Sequence, residues 1–165
     1  MSIRHQKILI FGNSGSGKST LAKNLQAEFK LAHLDLDTLA WLPTDPPSRA
    51  PLKQSKQIIE QFMADNELWV IEGCYADLLS FAATQAEHAV FMNLPLELCQ
   101  KNAMKRPWEP HKYESKAKQD ANLPMLLDWM AAYTERHDEF SYQAHTSLYN
   151  QFEGSKKEIT QNQNM

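Results

Sequence analysis

The residues Gly12-Asn13-Ser14-Gly15-Ser16-Gly17-Lys18-Ser19 place glycines, a lysine and hydroxyl groups at the spacing G-x-x-x-x-G-K-[ST], the pattern of a phosphate cradle. Glycines let the backbone turn so that several N–H groups converge on one anion. Lys18 is long enough to reach β- and γ-phosphates as a point charge, and the Ser19 hydroxyl is a magnesium ligand. With Thr20 this run forms a nucleotide-binding segment, Gly12 to Thr20, and it calls for ATP and Mg²⁺ as cofactors. Nothing in it selects adenine over guanine.

The flanking residues supply what such a loop needs. Lys7-Ile8-Leu9-Ile10-Phe11 is a short apolar run of the kind that forms a buried parallel strand. Leu21, Ala22, Leu25 and Phe29 then recur at helical spacing, so a helix N-terminus lends its positive end to the phosphates. Strands and helices alternate further along. Strands are expected at Leu31–Asp37, Leu68–Glu72 and Ala89–Leu94, with helices from Leu52 to about Asn66, between Asp77 and Thr84, after Pro95, and from Leu123 towards His137. A weak fifth strand is expected around Ser147–Phe152, and Ser155 with Glu158 has the spacing of a capping box. Residues 106–119 carry prolines and charges without a period and read as a lid loop. The domain is expected to span residues 1–153 and a polar tail 154–165, frayed from Thr160 onward.

Alternating β and α elements with apolar strands imply a three-layer α/β/α domain around a parallel sheet. Ligands in such sheets bind beyond the carboxyl ends of the strands. That rule selects Asp35 and Asp37 after the second strand, Glu72, Gly73 and Tyr75 after the third, and Asn93 after the fourth. Residues two apart on a strand project alike, so His33, Asp35 and Asp37 are expected on one side. Two readings of the aspartate pair stand side by side: a functional carboxylate pair, or a cap on a following turn. Glu72 is open between anchoring an acceptor, orienting a magnesium-bound water and accepting backbone hydrogen bonds.

The chain has 165 residues, a net charge of −3, 42% hydrophobic and 22% charged residues, the profile of one globular domain. This balance argues against a broad basic field, so direct nucleic-acid binding is not expected. Cys74 and Cys99 lack a C-x-x-C pattern and read as reduced thiols, Cys74 as a packed residue rather than a nucleophile. No leader or membrane-spanning run is read from the sequence, and a cytoplasmic location is expected.

These features resemble the P-loop small-molecule kinases, the group of shikimate, gluconate and adenylate kinases. Trp69-Val70-Ile71-Glu72-Gly73-Cys74-Tyr75 and Arg106-Pro107-Trp108-Glu109-Pro110-His111-Lys112-Tyr113 are further similar to a bacterial subgroup labelled shikimate kinase-like or "DNA topology modulation". The resemblance implies five parallel strands in the order 2-3-1-4-5. It also implies that Asp35 is the metal-side carboxylate, that Asp37 is the base or acceptor anchor, and that Arg106 is a lid cation over the transferring phosphoryl group. Arg49 and Arg136 lie where relatives hold acceptors, and Arg4 reads as a solvated charge ahead of the first strand. Only four arginines are present, few for gripping two polyphosphates, which tilts the acceptor towards a molecule with at most one anionic group.

Three classes compete. The first is a kinase that transfers the γ-phosphoryl group of ATP to a hydroxyl of a small molecule, with a nucleoside or nucleotide kinase as one variant. The second is an NTPase switch or motor. Against it, Asp-x-x-Gly and Asn-Lys-x-Asp motifs are absent, and the third strand ends in Glu72-Gly73 rather than in the Asp-Glu of an AAA-type motor. The third is an ATP-binding regulator of DNA topology that needs no metabolite. The kinase fits the residues best. Acceptor identity and oligomeric state are not written in the sequence.

Overall fold

Alternate residues of the first strand decide the architecture. In β1 (Lys7–Gly12), Leu9 and Phe11 enter one apolar cluster while Ile8 and Ile10 enter another, and all four are fully buried. A strand buried on both faces needs a helical layer on each side. The computed structural model, which describes residues 6–162, has both layers. On the Leu9/Phe11 side pack α2 (Leu52–Asp65), α3 (Ala76–Ala83) and α6 (Tyr142–Gln151). On the Ile8/Ile10 side pack α1 (Lys18–Phe29), α4 (Leu96–Met104) and α5 (Lys116–Ala131). Arg4 and the last three residues of the polar end lie outside the described residues.

The remaining strands are β2 (Ala32–Asp35), β3 (Trp41–Leu42), β4 (Ser48–Arg49), β5 (Trp69–Gly73), β6 (His88–Met92) and β7 (Ser155–Ile159). β3 and β4 form a small antiparallel ribbon, and the other five form one parallel sheet in the order β2-β5-β1-β6-β7. Counted within the sheet alone, that order is 2-3-1-4-5, as the kinase resemblance implies. Register aligns the strand ends: Asp35 is opposite Glu72, and Glu72 is opposite Ile10, two residues before the glycine loop. Among the described residues no helix is long and apolar enough to cross a membrane.

Three expectations are corrected. Residues 147–151 are helical, because His145, Leu148 and Tyr149 turn inward at helical spacing, with Phe152 following at the helix end, and the Ser141 side chain accepts the Ala144 N–H at 3.0 Å as a cap. The fifth strand is instead Ser155–Ile159, which the polar-tail and capping-box readings had placed outside the domain. As a sheet edge it is exposed except at Ile159, so it carries little apolar signal. The helix beginning before Leu123 ends at Ala131, short of Tyr133 and His137. It starts at Lys116, with Ser115 as its cap, so the loop proper runs from 105 to 115 rather than to 119.

His145 ties α6 to the sheet and makes stability pH-dependent. It is fully buried; its Nε2 lies 2.8 Å from the Cys74 carbonyl and its Nδ1 2.7 Å from the Tyr133 hydroxyl. A carbonyl only accepts, so Nε2 donates and Nδ1 accepts from Tyr133, and the neutral ring satisfies both partners. Burial pushes the imidazole down to about 4. Because the unfolded imidazole binds a proton first, His145 stabilises fully above pH ~6.5 and progressively less as pH falls towards ~4, by on the order of 3 kcal/mol in all. Asp35, whose carboxyl is raised, contributes the opposite slope, so the difference between wild type and His145→Gln isolates the effect. Urea midpoints at several pH values should converge for the two proteins as pH falls through this window. Parallel curves would contradict the assignment.

Candidate active site

The glycine loop is held open by its own residues. Gly15 has φ +75°, and a Cβ there would lie 2.3 Å from the Cys99 carbonyl oxygen, so only glycine fits between the loop and α4. Asn13 braces the turn: its Oδ1 accepts the Ser14 N–H at 2.9 Å and its Nδ2 donates to the Met130 carbonyl at 3.2 Å. Asn102 on α4 donates to the Gly15 carbonyl at 2.8 Å.

Several groups in this loop are donors without a side-chain partner or held only by the loop itself. Gly17 caps α1 without a side-chain hydrogen bond, which leaves the first N–H groups of the helix facing the cradle. The Ser16 hydroxyl is buried without a hydrogen-bond partner among the described residues. Lys18 Nζ folds back onto the Asn13 carbonyl at 2.7 Å. An orphaned hydroxyl, open helix N–H groups and a retracted ammonium fit a polyphosphate. The Ser19 hydroxyl donates to Glu72 Oε2 at 2.8 Å, a partner that fixes its orientation.

Beyond the sheet edge, the second and third strands deliver carboxylates. Glu72 is buried, and its Oε2 also lies 2.9 Å from His33 Nε2. β2 stops at Asp35, and Asp37 sits in the 3₁₀ turn Leu36–Thr38, so the two aspartates are not neighbours on one strand face as expected. Asp35 caps that turn, accepting the Asp37 N–H at 2.9 Å. The pair is brought together nonetheless by a residue to which the sequence analysis gave no role. Lys112 Nζ, from the 105–115 loop, stands 2.7 Å from Asp37 Oδ2, 3.8 Å from Asp35 Oδ2 and 3.5 Å from Glu109 Oε2. The Tyr75 hydroxyl donates a short hydrogen bond to the other Asp37 oxygen.

The electrostatics follow from this geometry. Burial, then the Glu72 and Asp37 carboxylates, push the Asp35 carboxyl up to about 6 against the pull of Lys112. Burial pushes Asp37 upward too, but the Lys112 charge and the hydrogen bonds from Lys112 and Tyr75 outweigh it and hold Asp37 below the ordinary carboxylate range. Burial pulls the Lys112 ammonium down, while Asp37 and Asp35 more than compensate and raise it. Burial, reinforced by the Asp37 charge, raises Tyr75, which keeps its proton and acts as a donor. Lys112 thus stands among the Asp37, Asp35 and Glu109 carboxylates, while Glu109 also pairs with Arg106; among the described residues no group of three or more His, Cys, Asp or Glu side chains is arranged to hold a metal ion.

The arginines distribute differently from the expectation. Arg106 pairs with Glu109 at 3.3 Å and so touches the carboxylate cluster only through Glu109 and Lys112. Arg49 bonds Glu139 at 2.9 Å and Asp77 at 3.1 Å, with its guanidinium 5.0 Å from the Tyr75 ring. Arg136 donates to the Trp129 carbonyl at 2.6 Å and stacks 4.1 Å over the Trp129 ring, while its buried Nη2 has no hydrogen-bond partner among the described residues. Gly73 packs against Leu36, where a Cβ would lie 3.0 Å from that side chain. Asn93 turns to Glu158 at 2.9 Å. Burial pushes the Cys74 thiol up to about 12, which removes it as a nucleophile. Lys112 was detectable in the sequence only as a further cation in the loop that carries Arg106.

Comparison with known proteins agrees with the fold. A shikimate kinase from Acinetobacter baumannii, solved in complex with shikimate, superposes with a TM-score of 0.57 at 14% identity, covering 98% of this chain and 86% of that one. A gluconokinase from Sinorhizobium meliloti 1021 gives 0.55 at 15% identity, covering 96% and 85%. A sugar kinase from Janibacter sp. HTCC2649 gives 0.53 at 14% identity, covering 94% and 84%. No curated protein matches the sequence significantly. The family described as "AAA domain" matches residues 8–123, from the first strand through the lid loop into α5, and on that match the chain belongs to this AAA-domain family, with the fold of the P-loop small-molecule kinases.

Proposed function

We propose that this protein is an ATP-dependent kinase that transfers the γ-phosphoryl group to a hydroxyl of a small molecule. The observation that carries the reading is the cluster of Asp37, Asp35 and Lys112 beside a phosphate loop whose Ser19 is held by Glu72. A hydrolytic switch or motor needs only a positioned water. Here Asp37 stays ionised beside a loop cation, so its carboxylate is available to accept a hydrogen bond from an entering hydroxyl and orient it.

ATP with Mg²⁺ supplies the phosphoryl group, and the chain binds and orients it. The loop N–H groups and Lys18 would hold the phosphates, and Ser19 and Asp35 would stand on the metal side, with Glu72 orienting Ser19. Asp37 takes the acceptor proton as the new O–P bond forms and the bond to ADP breaks. Lys112, with Arg106 behind it through Glu109, brings positive charge from the lid. Arg136 is stacked on Trp129 with its Nη2 buried, and Arg49 is already satisfied by Asp77 and Glu139. With so few uncommitted guanidinium groups, a small polyol or sugar-like acceptor fits better than a nucleotide. Phosphorus NMR of reactions with hydroxyl metabolites tests the reading: a new phosphomonoester signal is expected, and inorganic phosphate as the sole product with every compound would contradict it.

A further inference from the structure

One chain of hydrogen bonds leads from the antiparallel ribbon to the carboxylate cluster. Trp41 Nε1–H donates to the Tyr75 hydroxyl at 2.8 Å, and that hydroxyl donates to Asp37 Oδ1. Each donor in the series polarises the next, so an indole N–H beyond the cleft strengthens the bond at the carboxylate. Tyr75 is 2% exposed, so it reaches the site through Asp37 rather than by lining an open acceptor surface.

The ribbon that carries Trp41 is itself pinned. Trp41 pairs with Arg49 across the ribbon, and Arg49 is tied to Asp77 on α3 and to Glu139. The Trp41 ring lies parallel to Phe140 at 6.4 Å, and Phe140 meets Tyr75 edge-on at 5.2 Å. Trp41 is 43% exposed, yet its one polar atom is spent inward on Tyr75. Packing alone would be served as well by phenylalanine at either position.

We propose that Trp41 and Tyr75 are positioning residues that fix the orientation of Asp37, Tyr75 directly and Trp41 through Tyr75. The two oxygens of Asp37 are thereby distinguished. Oδ1 is held by a buried group of the core, while Oδ2 is held by Lys112, which belongs to the lid loop. Withdrawal of Lys112 frees Oδ2 for an acceptor hydroxyl without releasing the carboxylate. This inference rests on the assignment of Asp37 to the reaction, and the test separates the two.

The test is the ¹⁵N–¹H spectrum of the indole groups, in which the Trp41 signal is identified by its loss in Trp41→Phe. That signal should move in Tyr75→Phe, where its acceptor is gone. It should also move in Asp37→Asn, where Tyr75 donates to a neutral amide and is polarised less. Trp69 and Trp129 should stay in place. ATP turnover with water as acceptor should fall by up to about 10²-fold in Trp41→Phe and Tyr75→Phe at unchanged KM for ATP, the scale of a misplaced reacting group. A Trp41 signal that moves in Tyr75→Phe but not in Asp37→Asn would overturn the relay, as would full turnover in both aromatic variants where Asp37→Asn itself loses turnover. A signal that moves in both, with Asp37→Asn turning over ATP normally, would support the relay and overturn the catalytic assignment of Asp37 instead.

Discussion

Replacing Lys18 with alanine is expected to abolish ATP turnover, by on the order of 10³-fold or more, and to leave the fold intact. Among the described residues the ammonium hydrogen-bonds only the Asn13 carbonyl, at 2.7 Å, so its removal costs the folded protein little. The other cations near the cleft are committed elsewhere: Lys112 to Asp37, Arg106 to Glu109 and Arg49 to Asp77 and Glu139. None of them replaces a charge at the phosphate loop. Steady-state ADP release and a circular dichroism melt check this together. An unchanged melt with turnover within a few-fold of wild type would mean that the loop binds something other than a reacting nucleotide.

The carboxylate pair gives the second large effect. Asp37→Asn should lower phosphoryl transfer by about 10²–10⁴ with little change in Mg-ATP affinity, the range for loss of a general base. The amide still accepts from Tyr75 but leaves Lys112 without its closest counter-charge. Asp35→Asn should behave differently. Asparagine caps the 3₁₀ turn as well as aspartate does, so the local backbone survives, and the defect should be partly relieved by raising Mg²⁺. Mass action restores lost metal affinity and cannot restore lost base chemistry. Transfer at the wild-type rate in both variants would make the pair structural and move the search for a catalytic carboxylate to Glu72.

The frame of this site was legible in the sequence because its signals are local. The glycine loop, the strand before it and the helix after it lie within about one supersecondary unit. Strand ends follow from apolar runs, and the sheet rule then names Asp35, Glu72 and Tyr75. What escaped depends on residues far apart in the chain. Asp37 left the strand for a turn, and the cation that both carboxylates face, Lys112, comes 75 positions after Asp37 by residue number. Arg49 was expected at the acceptor, but its partners Asp77 and Glu139 meet it only through the tertiary fold. The fifth strand was missed because an exposed edge buries only Ile159 and alternates no apolar face. Membership in an AAA-domain family does not change the functional reading, since Glu72 at the end of β5 is bonded to Ser19 and His33 in this chain.

The central claim is that an acceptor hydroxyl completes this site. The direct measurement is ADP release from Mg-ATP, slow with the protein alone, repeated with a panel of small hydroxylated metabolites and with duplex DNA. On the proposed kinase reading an acceptor would complete the catalytic arrangement, so a subset of the metabolites should raise the rate well above the basal value, with DNA inert. Strong basal hydrolysis, stimulated by DNA and by no metabolite, would contradict the kinase account and favour a nucleotide-driven regulator of DNA.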